Sequence, residues 1–321
     1  MQMDQAVAAL RAAGEPTRLR MLALLDLEEL AVLELCRVLE QSQPRVSRHL
    51  KLLAEAGLVE RFPDGAWVFY RLGVAGEARA LLGDILARID PADPVLRRDA
   101  ERLQAVRDER TAAAGEYFAR NAGLWDQIRS LYVSEADVEA AIRAAAGPGP
   151  FRRLVDLGSG AGRMLTLLGP QAQAAVGLDL SQQMLNIARS RVADQGLAHC
   201  ELRHGDILGT RLPGESADLV VIHQVLHYLG DPAAAVREAG RLVAAGGRLL
   251  IVDFAPHRLE FLREQHQHRR LGFADAEMER WLREAGLGRV KASALAPADA
   301  AGLTVKIWTA QRGRQVRSHA A

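Results

Sequence analysis

The sequence predicts two domains: a mostly helical N-terminal one with a single hairpin, and a C-terminal α/β one built on a largely parallel sheet. Three observations carry this. The first 90 residues hold short segments of helical apolar period and one pair of strand-like runs around Pro-Asp-Gly. From Phe151 onward, short apolar runs alternate with amphipathic stretches, the pattern of βαβ units. Between them lies a segment bounded by two breaker clusters, DPADP and AAAGPGP. The expected boundaries are 1–90 for the first domain, 91–150 for an Arg/Glu-rich helical linker and lid, and 151–321 for the second.

Composition narrows the function classes. A chain of 321 residues is long enough for two separate cores. Its net charge of +1 gives no global attraction to nucleic acid, so any such case must rest on local charge. No run of about 18 apolar residues is present, which argues against a membrane-spanning helix. The opening MQMDQAVAALRAAGEPTR lacks a charged region followed by a long apolar core, so it does not read as a signal peptide. Cys36 and Cys200 are the only cysteines and lie far apart, which fits a reducing cytoplasm and no disulfide framework.

In the first domain the informative stretch is QSQPRVSRHLKLLAEAGLVERFPDGAWVFYRL, residues 41–72. Pro44 suits the first turn of a helix, where its missing N–H costs nothing. Val46, Leu50 and Leu53 fall at i, i+4 and i+7, a buried stripe. Arg45, Ser47, Arg48 and Lys51 then occupy the other faces, short hydroxyl and long cationic groups suited to base edges and phosphates. His49 sits beside the stripe, where a satisfied, partly buried imidazole competes with a phosphate contact. Gly57 ends the helix as a left-handed cap. VERF and AWVFYRL, around PDG, form a β-hairpin with Arg61 near its base. A preceding helix near residues 30–39 completes a helix-turn-helix. Pattern alone leaves a protein-interaction module open.

With EPTRLRMLALL upstream, the segment from about residue 10 to 75 resembles the ArsR/SmtB family of winged-helix repressors. The resemblance implies a homodimer on partly palindromic, double-stranded operator DNA. It also implies DNA contacts by Gln43, Arg45, Ser47, Arg48, His49 and Lys51, with Arg61 on the wing. In metal-responsive members the segment aligned with ELAVLELC, residues 29–36, carries paired thiolates. Here those positions are Ala31 and Leu33, and Cys36 stands alone. Residues 73–90 contain no histidine for the family's other site. No metal is therefore expected at the usual sites, and Cys36 reads as a small core hydrophobe.

The second domain opens with RRLVDLGSGAGRMLTLL, residues 152–168. The apolar strand LVDL runs into Gly158, Gly160 and Gly162, where the backbone can turn tightly and approach a ligand. The spacing is G-x-G-x-G rather than the G-x-G-x-x-G of dinucleotide enzymes. Asp156 precedes the glycines and can hold an ammonium group. About 20 residues on, AVGLDLS ends a second strand at Asp179, placed for ribose hydroxyls. CELRHGD ends at Asp206, placed for an adenine amino group. ADLVVIHQVLHYL and GGRLLIVDF supply two more strands. Carboxylates at successive strand ends around one glycine turn suit a ligand with an amine, a ribose and an adenine.

The stretch from about residue 115 to 312 resembles the class I S-adenosylmethionine-dependent methyltransferases, with a Rossmann-like, seven-stranded sheet whose last strand, in GLTVKIWTAQR, is antiparallel. The implied cofactor is S-adenosylmethionine or S-adenosylhomocysteine. The implied contacts are Asp156, Gly158, Gly160 and Gly162 at the methionine end, Asp179 at the ribose, and Asp206 and Ile207 at the adenine, with Leu180 also a cofactor contact and Gln183 and Met184 lining the adenine pocket; for Met184 an ordinary core role competes equally. Tyr117, Phe118, Trp125 and Tyr132 resemble a lid; plain packing is the competing role.

Methyl transfer needs alignment and, for some acceptors, a base. His223 and His227 follow strand four and His257 follows strand five, on the ligand edge of the sheet. His223 is also a candidate cofactor contact. Asp253 with some of these histidines could form a metal site, but the spacings match no standard pattern. REQHQHRR, with His266 and His268, reads as a solvated helix face. The expected function is a DNA-binding regulator whose methyltransferase-like domain senses an S-adenosyl ligand in methionine-cycle control. The alternatives are an active small-molecule methyltransferase using the winged helix for dimerisation or targeting, and a protein that does both.

Overall fold

The structure, a computed structural model, describes residues 2–64, 67–73, 77–121, 134–296 and 302–313. The chain divides into two compact units, residues 1–113 and 114–321.

In the first unit, α1 (Met3–Ala13) and α2 (Pro16–Leu27) precede a two-residue strand β1 (Leu30–Ala31). The helix-turn-helix is α3 (Val32–Leu39) and α4 (Gln43–Glu55). Pro16 opens α2, and the Glu15 side chain accepts the Arg18 N–H at 2.9 Å. In α4 the predicted stripe of Val46, Leu50 and Leu53 is fully buried. Gly57 takes φ +70°, and Leu58 N–H closes back on Leu53 O at 3.0 Å, the six-to-one bond of a glycine-terminated helix. The wing is the antiparallel pair β2 (Val59–Asp64) and β3 (Trp67–Leu72), with Arg61 opposite Tyr70. The α3 helix starts two residues later than the expected boundary near 30. Leu30 and Ala31 pair with Tyr70 and Phe69 of β3 instead, and Glu34 accepts the Ala31 N–H at 2.8 Å.

Helix α5 (Glu77–Leu86) is followed by α6 (Pro94–Asn121). The early turns of α6 belong to the first unit's core through Leu103 and Val106. Arg20 grips the buried Asp99 of α6 with two bonds of 2.6 Å, and Arg102 pairs with Glu40 at 2.6 Å.

The second unit begins with α7 (Glu135–Ala146) and β4 (Phe151–Leu157). Then come α8 (Arg163–Leu168), β5 (Ala172–Asp179), α9 (Gln182–Asp194) and β6 (Cys200–His204). The second half holds β7 (Ala217–His223), α10 (Pro232–Leu242), β8 (Val243–Phe254), α11 (Phe261–His266), α12 (Asp275–Glu284), β9 (Gly288–Leu295) and β10 (Val305–Gln311). The seven strands are ordered β6-β5-β4-β7-β8-β10-β9. β4 pairs in parallel with β5 and β7, and β10 runs antiparallel to β8 and β9, as expected for the last strand. Successive strand residues point to opposite faces. Val155, Val220 and Ile222 enter one core cluster, while Leu154, Leu219 and Val221 enter the other. Strand order reverses between β4 and β7, the switch point outside whose carboxyl ends open α/β sheets bind ligands.

Candidate functional site

On the first unit, Gln43, Arg45, Ser47, Arg48 and Lys51 of α4 are exposed, as is Arg61 on β2. Among the described residues Arg45, Arg48 and Arg61 have no ion-pair partner, and Lys51 has only Glu55 at 3.8 Å. Other guanidinium groups of this unit are held: Arg71 by Glu29 and Glu60, Arg79 by Asp26. Exposed, unpaired cations on a helix and its adjoining wing suit a phosphate backbone. His49 is half-buried, its Nδ1 3.7 Å from Glu15. Burial lowers its pKa against the pull of Glu15, with Arg18, Arg45 and Arg48 adding to the depression.

The segment aligned with the thiolate site is now placed. Ala31 is buried in the short strand, Leu33 is 56% exposed on α3, and Cys36 packs against the core. Burial pushes the Cys36 thiol pKa up, opposite to what a metal-binding thiolate needs.

On the second unit the glycine turn joins β4 to α8. Gly158, Gly160 and Gly162 all take positive φ. A Cβ on Gly158 would lie 2.5 Å from Val225, and one on Gly162 would lie 2.9 Å from Ala188. The N–H groups of Gly158 and Ser159 donate to Leu178 O at 2.8 and 2.9 Å. Asp179, at the end of β5, accepts from Gly160 N–H and Ser181 N–H, each at 2.8 Å. Burial raises its pKa, and the two N–H donors oppose that rise.

Asp156 is the anomaly of the turn. It is completely buried, and neither carboxyl oxygen has a hydrogen-bond partner among the described residues. The Ser159 hydroxyl, three residues on in the same turn, is likewise buried and without a partner among the described residues. Burial, with Asp179 adding repulsion, pushes Asp156 up to about 8. A ligand bearing an ammonium group satisfies this carboxyl; an anionic ligand does not. The donor set therefore fits the amino-acid end of an S-adenosyl ligand.

Leu180 is exposed next to Asp179, and Leu208 is exposed close to Asp206, leaving two apolar side chains beside the predicted ribose and adenine carboxylates. Sequence reading missed Leu208; an apolar residue breaking the polar run at the end of β6 was the available signal. Asp206 is exposed and its Oδ1 accepts the Leu208 N–H at 2.9 Å. The Ile207 side chain lies in the main core cluster, and Met184 packs with Ala161 beneath the glycine turn. His204 bonds Leu180 O at 2.9 Å, clipping β6 to the end of β5. Of the predicted lid, Trp125 and Tyr132 and the side chains of Tyr117 and Phe118 lie outside the described residues.

Beyond β7 and β8 the imidazoles separate into roles. His223 ends β7 opposite Val252. His227 is 2% exposed, and its Nδ1 bonds Asp253 Oδ1 at 2.8 Å. His257 Nδ1 accepts the Leu259 N–H at 3.3 Å. His268 corrects the expectation of a solvated helix face over REQHQHRR. Helix α11 stops at His266, Gln267 turns left-handed at φ 58°, and His268 is buried with its ring 4.1 Å from that of His227. Gln224, between β7 and this cluster, also holds a left-handed φ of 52°, a strained choice for a residue with a side chain.

Residues 15–61 match the family model for bacterial regulatory proteins of the arsR family, and residues 155–251 match that of a methyltransferase domain. The arsenical resistance operon repressor of Escherichia coli is 43% identical over 94 residues, 29% of this chain and 74% of that repressor. An uncharacterized methyltransferase, YcgJ of Bacillus subtilis, is 27% identical over 140 residues, 43% of this chain. The chain spans 54% of the length of that methyltransferase. A chain of the solved complex between the Haloferax volcanii Trm112 methyltransferase activator and a candidate methyltransferase superposes with TM-score 0.52 at 20% identity, over 61% of this chain and 98% of that one.

Proposed function

We propose, on the premise that the chain belongs to the arsR family of bacterial regulatory proteins and carries a class I methyltransferase fold behind its reader, that it is a cytoplasmic transcriptional regulator whose second domain takes S-adenosylmethionine or S-adenosylhomocysteine as its signal. The observation that carries this reading is the buried Asp156 carboxyl at a glycine turn, without a hydrogen-bond partner among the described residues. In this reading Asp156 and Ser159 hold the ligand's ammonium end, Asp179 orders the turn and receives the ribose, and Leu180 and Leu208 flank the base. Bound S-adenosylmethionine would supply a methyl group on a sulfonium. The arsenical resistance in the name of the Escherichia coli relative is not carried over, because Ala31 and Leu33 offer no thiolate.

The reader acts as a homodimer in this reading. Met3, Val7 and Leu10 form an exposed apolar stripe along α1, suited to a second copy of the chain. Two α4 helices then meet successive turns of a two-fold operator. Ligand changes DNA affinity only if it prefers one arrangement of the dimer, and a coupling of about 1–3 kcal/mol is typical.

The test is a pair of titrations on the full chain. Calorimetry measures both S-adenosyl compounds, and fluorescence anisotropy measures affinity for DNA upstream of the gene, with and without saturating ligand. Tight ligand binding with unaltered DNA affinity would sink the sensor. A second reading, an active methyltransferase, is favoured by the buried Asp253–His227 pair at the ligand edge. Methionine and S-adenosylmethionine balance is the regulated process that either ligand would report.

A further inference from the structure

Among the described residues, three buried polar atoms without a hydrogen-bond partner lie together at the ligand edge: His227 Nε2, His268 Nδ1 and Asp253 Oδ2. Each unpaired buried group of this kind is destabilising by itself. Such a concentration marks a place where polar atoms of another molecule belong.

Strand register puts the cluster next to the glycine turn. Ile222 pairs with Leu157, so His223 stands level with Gly158. His223 pairs with Val252, so Asp253 lies one residue further out on the adjacent strand. Val225, two residues before His227, fills the space that any Cβ on Gly158 would need.

The hydrogen bonds assign the nitrogens. Asp253 Oδ1 accepts the Phe254 N–H at 2.8 Å and also meets His227 Nδ1 at 2.8 Å. A carboxylate only accepts, so the imidazole proton sits on Nδ1 and Nε2 presents its lone pair. The His268 ring stacks on His227, and the Phe254 ring lies 5.2 Å from His227. Nearby cations are already engaged: Arg270 pairs with Glu277 at 3.2 Å and Arg263 with Glu260 at 3.4 Å. An anionic molecule therefore finds no unpaired guanidinium in either, whereas the rings around the buried His227 nitrogen suit a neutral, flat one.

We propose that His227 is the general base, and Asp253 its positioning residue, for a neutral methyl acceptor that carries its proton on oxygen or nitrogen and seats against His268 and Phe254. The inference rests on the reading that the glycine turn holds an S-adenosyl ligand. The acceptor's O–H or N–H bond breaks, and the proton goes to His227 Nε2. The electron pair left on the acceptor forms its bond to the methyl carbon of S-adenosylmethionine. The methyl–sulfur pair stays on sulfur, giving S-adenosylhomocysteine. Asp253 holds the imidazolium that results. The protein thus converts one S-adenosyl compound into the other when an acceptor is present, so acceptor supply itself sets which ligand the reader reports.

The experiment uses the full chain, wild type and the variants His227→Gln and the near-isosteric Asp253→Asn. Nitrogen-15 NMR of labelled histidines needs no variant and is expected to show the His227 proton on Nδ1. Phenol, catechol and aniline serve as probe acceptors with S-adenosylmethionine. S-adenosylhomocysteine production should fall about 100-fold in both variants, while calorimetric affinity for S-adenosylhomocysteine stays within about threefold. A wild-type proton on Nε2, undiminished turnover in the variants, or no turnover despite normal S-adenosylhomocysteine binding each overturns the base and leaves the sensor standing. Failure of the wild type to bind S-adenosylhomocysteine overturns both.

Discussion

The buried Asp156 carboxyl makes ligand affinity depend on pH in a direction that can be worked out beforehand. In the free protein burial and Asp179 raise it to about 8. The raised value means that the neutral form prevails at pH 7 and that ionisation is what folding opposes. A ligand ammonium reverses this, since it needs the carboxylate. Only about one molecule in a hundred is ionised at pH 6, and about half at pH 8, so affinity should rise about 50-fold over that interval. At pH 7 about 0.9 proton should leave for each ligand bound. Calorimetry with S-adenosylhomocysteine in buffers of different ionisation enthalpy reads both quantities. A His204→Gln control removes the imidazole whose charge acts on Asp179. Affinity that stays level from pH 6 to 8, or proton uptake on binding, refutes the reasoning. The same sign governs the free protein's stability. An acid raised above its unfolded value costs nothing below that value of 3.8 and destabilises progressively as pH climbs toward 8. Asp156→Asn should therefore remove this site's loss of free-protein stability between about pH 4 and 8, while S-adenosyl binding is lost.

Other outcomes follow from single contacts. Arg45→Ala and Arg48→Ala should each weaken binding to duplex DNA of any sequence and lower the slope of log affinity against log salt by about 1; an unchanged slope in anisotropy titrations removes these side chains from the phosphate backbone. Arsenite and zinc should leave DNA affinity unchanged in the wild type and in Cys36→Ser alike, and release of DNA by either ion would restore metal sensing. Gly162→Ala places a Cβ 2.9 Å from Ala188 at φ +81°, and thermal unfolding should show a loss of about 1–3 kcal/mol. Asp99→Asn leaves Arg20 facing an uncharged amide in a buried setting and should lower stability of the first unit by about 2 kcal/mol or more, read by denaturant unfolding.

Much of this architecture was legible because its signals are local. Pro44, the Val46-Leu50-Leu53 stripe and Gly57 describe a helix with its start, buried face and stop within a few turns. The glycine turn with Asp156, and Asp179 after it, each close an apolar run, and Asp206 follows the next strand at similar spacing, so their edge of the sheet could be read before the sheet existed. What stayed hidden is long-range. Nothing in REQHQHRR says that Gln267 bends the chain left-handed and delivers His268 onto His227, 41 residues earlier in the sequence. The start of α6 reads as linker because its charges look solvated; only the fold shows Arg20 reaching Asp99 across 79 residues. Position also hid the bonding of Asp179. Its oxygens are expected to face a ribose, and they brace the turn's own backbone as well.

That bracing has a consequence for how the protein would feel its signal. Gly160 is anchored to Asp179, and Gly158 and Ser159 to Leu178, by bonds made entirely within the chain. The receptacle is thus rigid before any visitor arrives, and little ordering remains to be done there on arrival. Amide exchange at residues 158–162 should already be slow in the empty protein and change little on loading. Whatever message passes onward must originate elsewhere, in groups whose charge or partner changes on contact, and Asp156 is foremost among them.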